Sequence, residues 1–151
     1  MMMGADKVED DEVLYRSVPK ECFSIADGPL RLSSTAFNDP SKKPSVDRAK
    51  LCGSDPAYTK KKPTDGVVSL TALSVRQIAD VVQNDKNGNL ELAHSVDVIA
   101  DPVKDNPVLP DNLAHALIVA NPAFQSTGVF KKLKECLARI ASLGGWLVEP
   151  S

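Results

Sequence analysis

Two strand-like segments follow one another with no helix between them, and this succession constrains the fold more than any other feature. Residues 90–100 alternate between the two faces of an extended chain. Residues 113–120 are apolar on both faces, which is typical of a strand in the centre of a sheet. Only a proline-containing loop, residues 101–111, separates the two. Neighbouring strands of this kind favour a mixed or antiparallel sheet over a doubly wound one.

Two amphipathic helices are predicted to pack on this sheet. Ser74 and Gln77 have the spacing of a capping box, which predicts a helix over residues 74–83. Residues 127–143 carry an apolar stripe opposite a charged face, which predicts a second and longer helix. Further strands are expected at residues 13–18, 66–72 and 146–148.

The first half of the chain is poor in regular patterns. Residues 26–63 are rich in Pro, Gly, Ser, Asp and Lys, so most of this stretch is expected to be loop. Residues 1–12 carry five acidic residues against one lysine and are expected to form a disordered acidic tail. The sequence therefore predicts one α+β domain over residues 13–151, with a small mixed or antiparallel sheet, two helices and a long loop-rich first half.

Composition excludes several classes of protein. A chain of 151 residues with 42% hydrophobic residues is sufficient for one domain with a real core. No apolar run approaches the roughly 20 residues that cross a bilayer, and no secretory signal is visible. Cys22, Cys52 and Cys136 form neither a CxxC pair nor a metal-ligand spacing, so reduced thiols in a cytoplasmic protein are expected, without a metal or cofactor.

The net charge of −2 does not indicate the basic face that nucleic-acid-binding proteins usually carry. The lysines are concentrated in two short runs, at residues 42–43 and 60–62, which are best interpreted as solvated loops. Nucleic acid is therefore not an expected partner. The adjacent pair Asp47-Arg48 is likewise expected to be solvated unless it folds over Arg16 or His115.

The two histidines are the natural candidates for general base chemistry near neutral pH. His115 lies in the apolar strand among alanines and is either a base or ligand in a pocket or a core residue bonded to a carbonyl or carboxylate. The same alternatives hold for His94, with the core interpretation favoured for both. If their strands pair, the two rings could approach each other.

A second candidate site combines Arg16 with the hydroxyl run Ser33, Ser34 and Thr35. An arginine supplies a two-pronged fork for phosphate oxygens, and hydroxyl groups add hydrogen bonds. The pairing resembles ADP-ribosyltransferase-like domains, and the resemblance implies that these residues hold a dinucleotide while a later glutamate, here Glu91, helps catalysis. The other interpretation is structural: Arg16 pairs with an acidic loop residue, and the serines form turns.

These observations lead to two functional hypotheses. The favoured one is a small binding or regulatory module that acts through a protein partner, because recognisable catalytic motifs are missing and much of the chain is loop. The alternative is a compact enzyme acting on a nucleotide or phosphorylated ligand through Arg16, Ser34 and His115. The enzyme hypothesis predicts that these groups converge in one pocket. The binding-module hypothesis predicts that they are scattered and that an apolar patch is exposed elsewhere.

Overall fold

The structure, a computed structural model, describes residues 7–24 and 29–151. The strands in these ranges are β1 (Val13–Val18), β2 (Phe23–Ser24), β3 (Arg31–Leu32), β4 (Ser45–Arg48), β5 (Gly66–Thr71), β6 (Val82–Asn84), β7 (Leu90–Ala93), β8 (Ser95–Ala100) and β9 (His115–Asn121). The helices are α1 (Ala72–Arg76) and α2 (Thr127–Gly144), with short 3₁₀ helices at Ser34–Phe37, Ala49–Leu51 and Pro56–Thr59.

Five of the strands form one sheet in the order β5-β1-β4-β9-β8. Every neighbouring pair in it is antiparallel. The strands β2 and β3 form a separate two-stranded ribbon, and β6 and β7 form another. The predicted α+β class with an antiparallel sheet is confirmed.

The long helix α2 is confirmed almost residue for residue. The hydroxyl of Ser126 accepts a hydrogen bond from the Val129 amide, which caps the first turn. The apolar stripe of α2 is buried against the sheet: Val129, Phe130, Leu133, Cys136, Leu137, Ala138 and Ala141. Within the described ranges, no helix is long and apolar enough to cross a membrane.

The predicted helix over residues 74–83 is wrong in extent. The helix α1 has only five residues, and its cap is Thr71, whose hydroxyl accepts a hydrogen bond from the Ser74 amide. The chain leaves the helix after Gln77 because residues 82–84 pair with β7 instead. A hairpin with the next segment of the chain has therefore replaced the end of the predicted helix.

The alternating segment 90–100 is divided at His94. Residues 90–93 pair with β6, whereas residues 95–100 pair with β9. One continuous alternating segment therefore forms strands in two different sheets. The strand expected at 146–148 is reduced to a single bridge between Val148 and Val67.

The two faces of the five-stranded sheet are covered unequally. One face packs on α2 and α1 and carries the main core, with Leu14, Val46, Val68 and Ile118 at its centre. On the other face, residues 49–65 and Val148 cover β1 and β5 with a smaller apolar cluster. This second face stays open over β8 and β9, where Ile99 is 44% exposed and its neighbours Leu117 and Val119 are only half-buried.

The segment assigned to an acidic tail lies partly outside the described residues, which begin at position 7. Residues 7–12 pack against the domain. Val8 is 1% exposed and belongs to the main core. Arg76 bonds the Val8 carbonyl oxygen at 2.7 Å and the carboxylates of Asp10 and Asp97, also at 2.7 Å. Charge pairing therefore fixes this acidic stretch, which a count of net charge alone does not reveal.

Glu12 forms a buried ion pair with Arg48. Both carboxylate oxygens of Glu12 accept bonds from the Arg48 guanidinium at 2.8 Å, and Lys50 lies 3.4 Å away. Burial opposes ionisation of Glu12, but the Arg48 bond, the Glu9 amide and the charges of Arg48 and Lys50 outweigh it and lower the pKa of this carboxyl. The expected solvation of Arg48 is therefore wrong, since its side chain is 2% exposed.

The lowered pKa of Glu12 predicts a loss of stability in acid. A carboxyl that is more acidic in the folded state contributes its full stabilisation above its ordinary pKa of 4.5 and loses it as the pH falls through the folded value. We expect the urea midpoint of the wild-type chain to fall between about pH 6 and about pH 3. In the Glu12→Gln variant the urea midpoint should change less with pH. An equal dependence of the midpoint on pH in the two proteins would contradict the lowered pKa of Glu12.

Candidate functional site

A cleft of about 500 Å³ lies on the partly open face of the sheet. Its floor is formed by β1, β4 and the first residue of β9, and its walls are the segments 58–61 and 103–112. Polar side chains lie on the floor, including Asp47 and His115, while Tyr58 and Leu109 stand at the sides with 48% and 54% exposure. A concave site with a few convergent polar groups is the usual form of a binding site.

Strand register brings the floor residues together. Tyr15 of β1 pairs with Asp47 of β4, and Asp47 pairs with His115 of β9. Side chains directly opposite on antiparallel strands have their Cβ atoms about 4.5–5.5 Å apart and point to the same face. Tyr15, Asp47 and His115 therefore form one row across three strands.

Asp47 is held by two neutral donors. Its Oδ1 accepts a bond of 2.9 Å from the Asn112 side-chain amide, and its Oδ2 accepts one of 2.9 Å from the Thr59 hydroxyl. Asn112 in turn accepts a bond of 2.9 Å from the Tyr58 hydroxyl. One hydrogen-bonded network therefore links the floor of the cleft to both walls and fixes the position of the carboxylate.

His115 is oriented by Asp101, which directly follows β8. Its Nδ1 lies 2.9 Å from the Asp101 carbonyl oxygen and 3.1 Å from the carboxylate Oδ2. Both partners are acceptors, so Nδ1 carries a proton, and Nε2 is the ring nitrogen not engaged by Asp101. A carboxylate–histidine pair of this kind occurs in general base catalysis and in binding sites. Within the described part of the chain, no hydroxyl or thiol donates to Nε2, so a paired nucleophile is missing from the arrangement.

The thiol and phenol groups in and beside the row hold their protons tightly. Burial, followed by the charges of Asp47 and Asp55, raises the pKa of the Cys52 thiol to about 11. Burial also raises the pKa of Tyr15 and Tyr58, with Cys52 contributing to both. Because only a thiolate is a good nucleophile, Cys52 is a packing residue near neutral pH.

Arg16 borders the cleft, but its guanidinium is already bonded. Nε donates to the Ala36 carbonyl at 3.0 Å, Nη1 to the Ser45 carbonyl at 2.8 Å and Nη2 to the Asn38 carbonyl at 3.1 Å. Nη1 also donates to the Ser45 hydroxyl at 3.4 Å. The predicted pairing of Arg16 with an acidic loop residue is therefore wrong, since its partners are three backbone carbonyls and one hydroxyl. Arg16 therefore ties the 3₁₀ helix at 34–37 to β4, and its fork is not free for a phosphate.

The hydroxyl run does not reach the cleft. Ser33 caps the 3₁₀ helix through the Thr35 amide, and its hydroxyl lies 2.8 Å from that of Thr35. Neither these residues nor Ser34 line the cavity, and Glu91 bonds Gln83 in the small ribbon. Of the predicted group, Arg16 and His115 both border the cleft, but strand alternation directs the Arg16 side chain to the opposite face of the sheet from His115. Ser33–Thr35 lie outside the cavity.

The two histidines are separated by the antiparallel register of β8 and β9. His94 lies beside Pro122, whose carbonyl oxygen is 2.6 Å from its Nδ1, whereas His115 lies at the far end of the pair beside Asp101. Residues 7–24 and 29–151 contain no cluster of three His, Cys, Asp or Glu side chains suited to a metal ion. The lysine runs also border different hollows, with Lys60 and Lys61 at the cleft and Lys42 beside α2.

The sequence analysis does not predict five residues of the site, which are Asp47, Tyr58, Thr59, Asp101 and Asn112. The sequence predicts that Asp47 is solvated unless it folds over Arg16 or His115, and the structure shows the second case, with Asp47 9% exposed beside His115. A signal existed in the segment Ser45-Val46-Asp47-Arg48, because reading it as a strand places Asp47 on the face opposite Val46 and Arg48.

Comparison of the chain with models of known families, with curated proteins and with solved structures finds no match.

Proposed function

We propose that this protein is a small binding module that docks a partner protein on the open face of its sheet. The observation that carries the proposal is the cleft itself, a polar floor fixed by hydrogen bonds between walls that expose Tyr58 and Leu109. Protein interfaces combine such exposed apolar and aromatic anchors with a few well-positioned polar groups.

The surroundings of the cleft extend the apolar surface. Val108 is 85% exposed and Leu113 is 56% exposed, and both are chain neighbours of cleft residues. Beside them, Ile99 and Leu117 form a cross-strand pair on the uncovered part of the sheet. Exposed apolar residues that are concentrated near one cleft are typical of an interaction surface.

The alternative, an enzyme acting on a nucleotide or phosphorylated ligand, has less support. It needs Arg16, Ser34 and His115 in one pocket with the arginine fork available. The fork is bonded to three carbonyl oxygens, and Ser34 lies outside the cavity.

Selection of a random peptide library on the wild-type chain tests the proposal. We expect enriched peptides that bind the cleft and lose at least tenfold in affinity when Leu109 is replaced by aspartate, because a charge at an apolar anchor must be desolvated on binding. Isothermal titration of the selected peptides against both proteins measures the loss.

Leu143→Asp is the matched control. Leu143 is 85% exposed on the last turn of α2 and does not line the cleft, so this variant should bind the peptides like the wild type. Selected peptides that bind Leu109→Asp as tightly as the wild type, or a library that yields no binder, would overturn the proposal.

A further inference from the structure

The cleft contains a buried carboxylate without a cationic partner. Three acidic side chains are buried in the described residues: Glu12, Asp47 and Asp65. Glu12 is paired with Arg48, whereas Asp47 takes part in none of the ion pairs found in these ranges. Buried charges in proteins are normally paired or bound to a metal, because removing an ion from water is costly.

Asp65 is the useful comparison. It also lacks a cation, but it accepts bonds from the Ser17 hydroxyl at 2.7 Å and the Lys62 amide at 3.2 Å, and it lies outside the cleft. Its role is to close the turn that leads into β5. Asp47 is thus the one buried acid among the described residues that both lacks a cation and lines the cavity.

We infer that Asp47 receives the guanidinium of an arginine side chain on the docked partner. This inference rests on the proposed function and names the chemistry that the cleft recognises. Each carboxylate oxygen offers two lone pairs, and Asn112 and Thr59 use one on each oxygen. One acceptor site remains on each oxygen, which matches the two-pronged fork of arginine better than the point charge of lysine.

The exposed aromatic side chain of the cleft suits the same group. Tyr58 stands at the wall, 48% exposed, with its hydroxyl held by Asn112, whereas Tyr15 is buried beside Asp47. A guanidinium is planar and weakly hydrated, so it packs against aromatic faces where an ammonium keeps its water. The network that holds Asp47 also holds Tyr58, so the site is organised before the partner arrives.

The other charges of the cleft limit the partner further. Lys60 and Lys61 line the same cavity, and neither belongs to the ion pairs of the described residues. They oppose any cationic side chain, because like charges oppose close approach, and Asp111, which lines the same cavity, offsets part of this repulsion. A polybasic segment brings several charges to the lysines, whereas a single arginine brings one. A segment with a single arginine is therefore the expected occupant.

Titration of the full chain with N-acetyl-arginine amide, followed by amide chemical shifts, tests the inference. We expect saturable shifts at Tyr58, Thr59 and Asn112 with a millimolar dissociation constant. N-acetyl-citrulline amide has nearly the same shape without the charge and should bind the wild-type chain about tenfold more weakly or worse, because bonds to charged groups are the stronger ones. Equal binding of the two probes, or no shift with either, would overturn the inference.

Asp47→Asn tests the same point from the protein side. An asparagine amide fits the same space and can bond Asn112 and Thr59, so the variant should fold while its affinity for the arginine probe falls about tenfold or more. Asp80→Asn is the matched control, since it removes the same charge from an exposed residue that does not line the cleft, and its affinity should stay within about threefold of the wild type.

The selected peptides separate the two proposals. Some peptides could depend on Leu109 for binding, need no arginine and bind Asp47→Asn as tightly as the wild type. Such peptides would overturn the arginine site but would support the docking function. A library that yields no peptide dependent on Leu109 would overturn the docking function, and the arginine site with it.

Discussion

Replacing Glu12 with glutamine is expected to lower the free energy of unfolding by about 3–5 kcal/mol. The change leaves the Arg48 guanidinium buried at 2% exposure without a carboxylate, and arginine does not lose its proton to escape the cost. The NH2 group of glutamine replaces one of the two acceptor oxygens, so it faces either the Nε–H of Arg48 or the Nη2–H of Arg48 together with the Glu9 amide, and donors then oppose donors. Urea unfolding at neutral pH measures the loss.

The double variant Glu12→Gln with Arg48→Met provides the control for this prediction. Removing both charges relieves the buried guanidinium, so the double variant should be more stable than Glu12→Gln alone. A cost below about 1 kcal/mol for the single change, or additive costs in the pair, would show that this ion pair does not anchor residues 7–12.

Truncation of Leu137 to alanine should cost about 2–5 kcal/mol. Leu137 is 0% exposed at the centre of the α2 stripe, where it packs in the main core, so its removal loses apolar contacts and leaves a cavity. Urea unfolding should show a lower midpoint with an unchanged slope, because the surface exposed on unfolding stays the same.

Leu143→Ala on the same helix is the matched control for the core. Leu143 is 85% exposed, so its truncation should change the free energy of unfolding by no more than about 0.5 kcal/mol. Similar losses at Leu137 and Leu143 would contradict the placement of α2 on the sheet.

The parts of the fold that follow from the sequence are those in which local signals agree with the tertiary contacts. In α2, the cap at Ser126 and the apolar stripe coincide with the observed helix. In residues 74–83 the same kind of pattern fails, since the last two residues belong to a hairpin of β6 and β7 that helical periodicity does not encode. Alternation over 90–100 identifies extended chain but does not reveal the break at His94, where the strand changes partners.

The candidate site follows from the sequence only in part. His115 is recognisable as a candidate because histidine in an apolar strand is chemically conspicuous. Its neighbours come from distant positions, with Asp47 brought alongside by the pairing of β4 with β9 and Asp101 by that of β8 with β9. Arg16 was singled out for its charge, but its bonds go to backbone carbonyls, which no sequence motif marks.

We propose that a partner docks in the cleft on the open face of the sheet. The most direct measurement is the set of amide chemical shifts that change when the wild-type chain is titrated with a selected peptide. We expect the changes to be concentrated in segments 45–47, 58–61 and 103–115, which form the floor and walls of the cleft. Changes concentrated instead on the exposed face of α2, around Lys131 and Arg139, would contradict the claim.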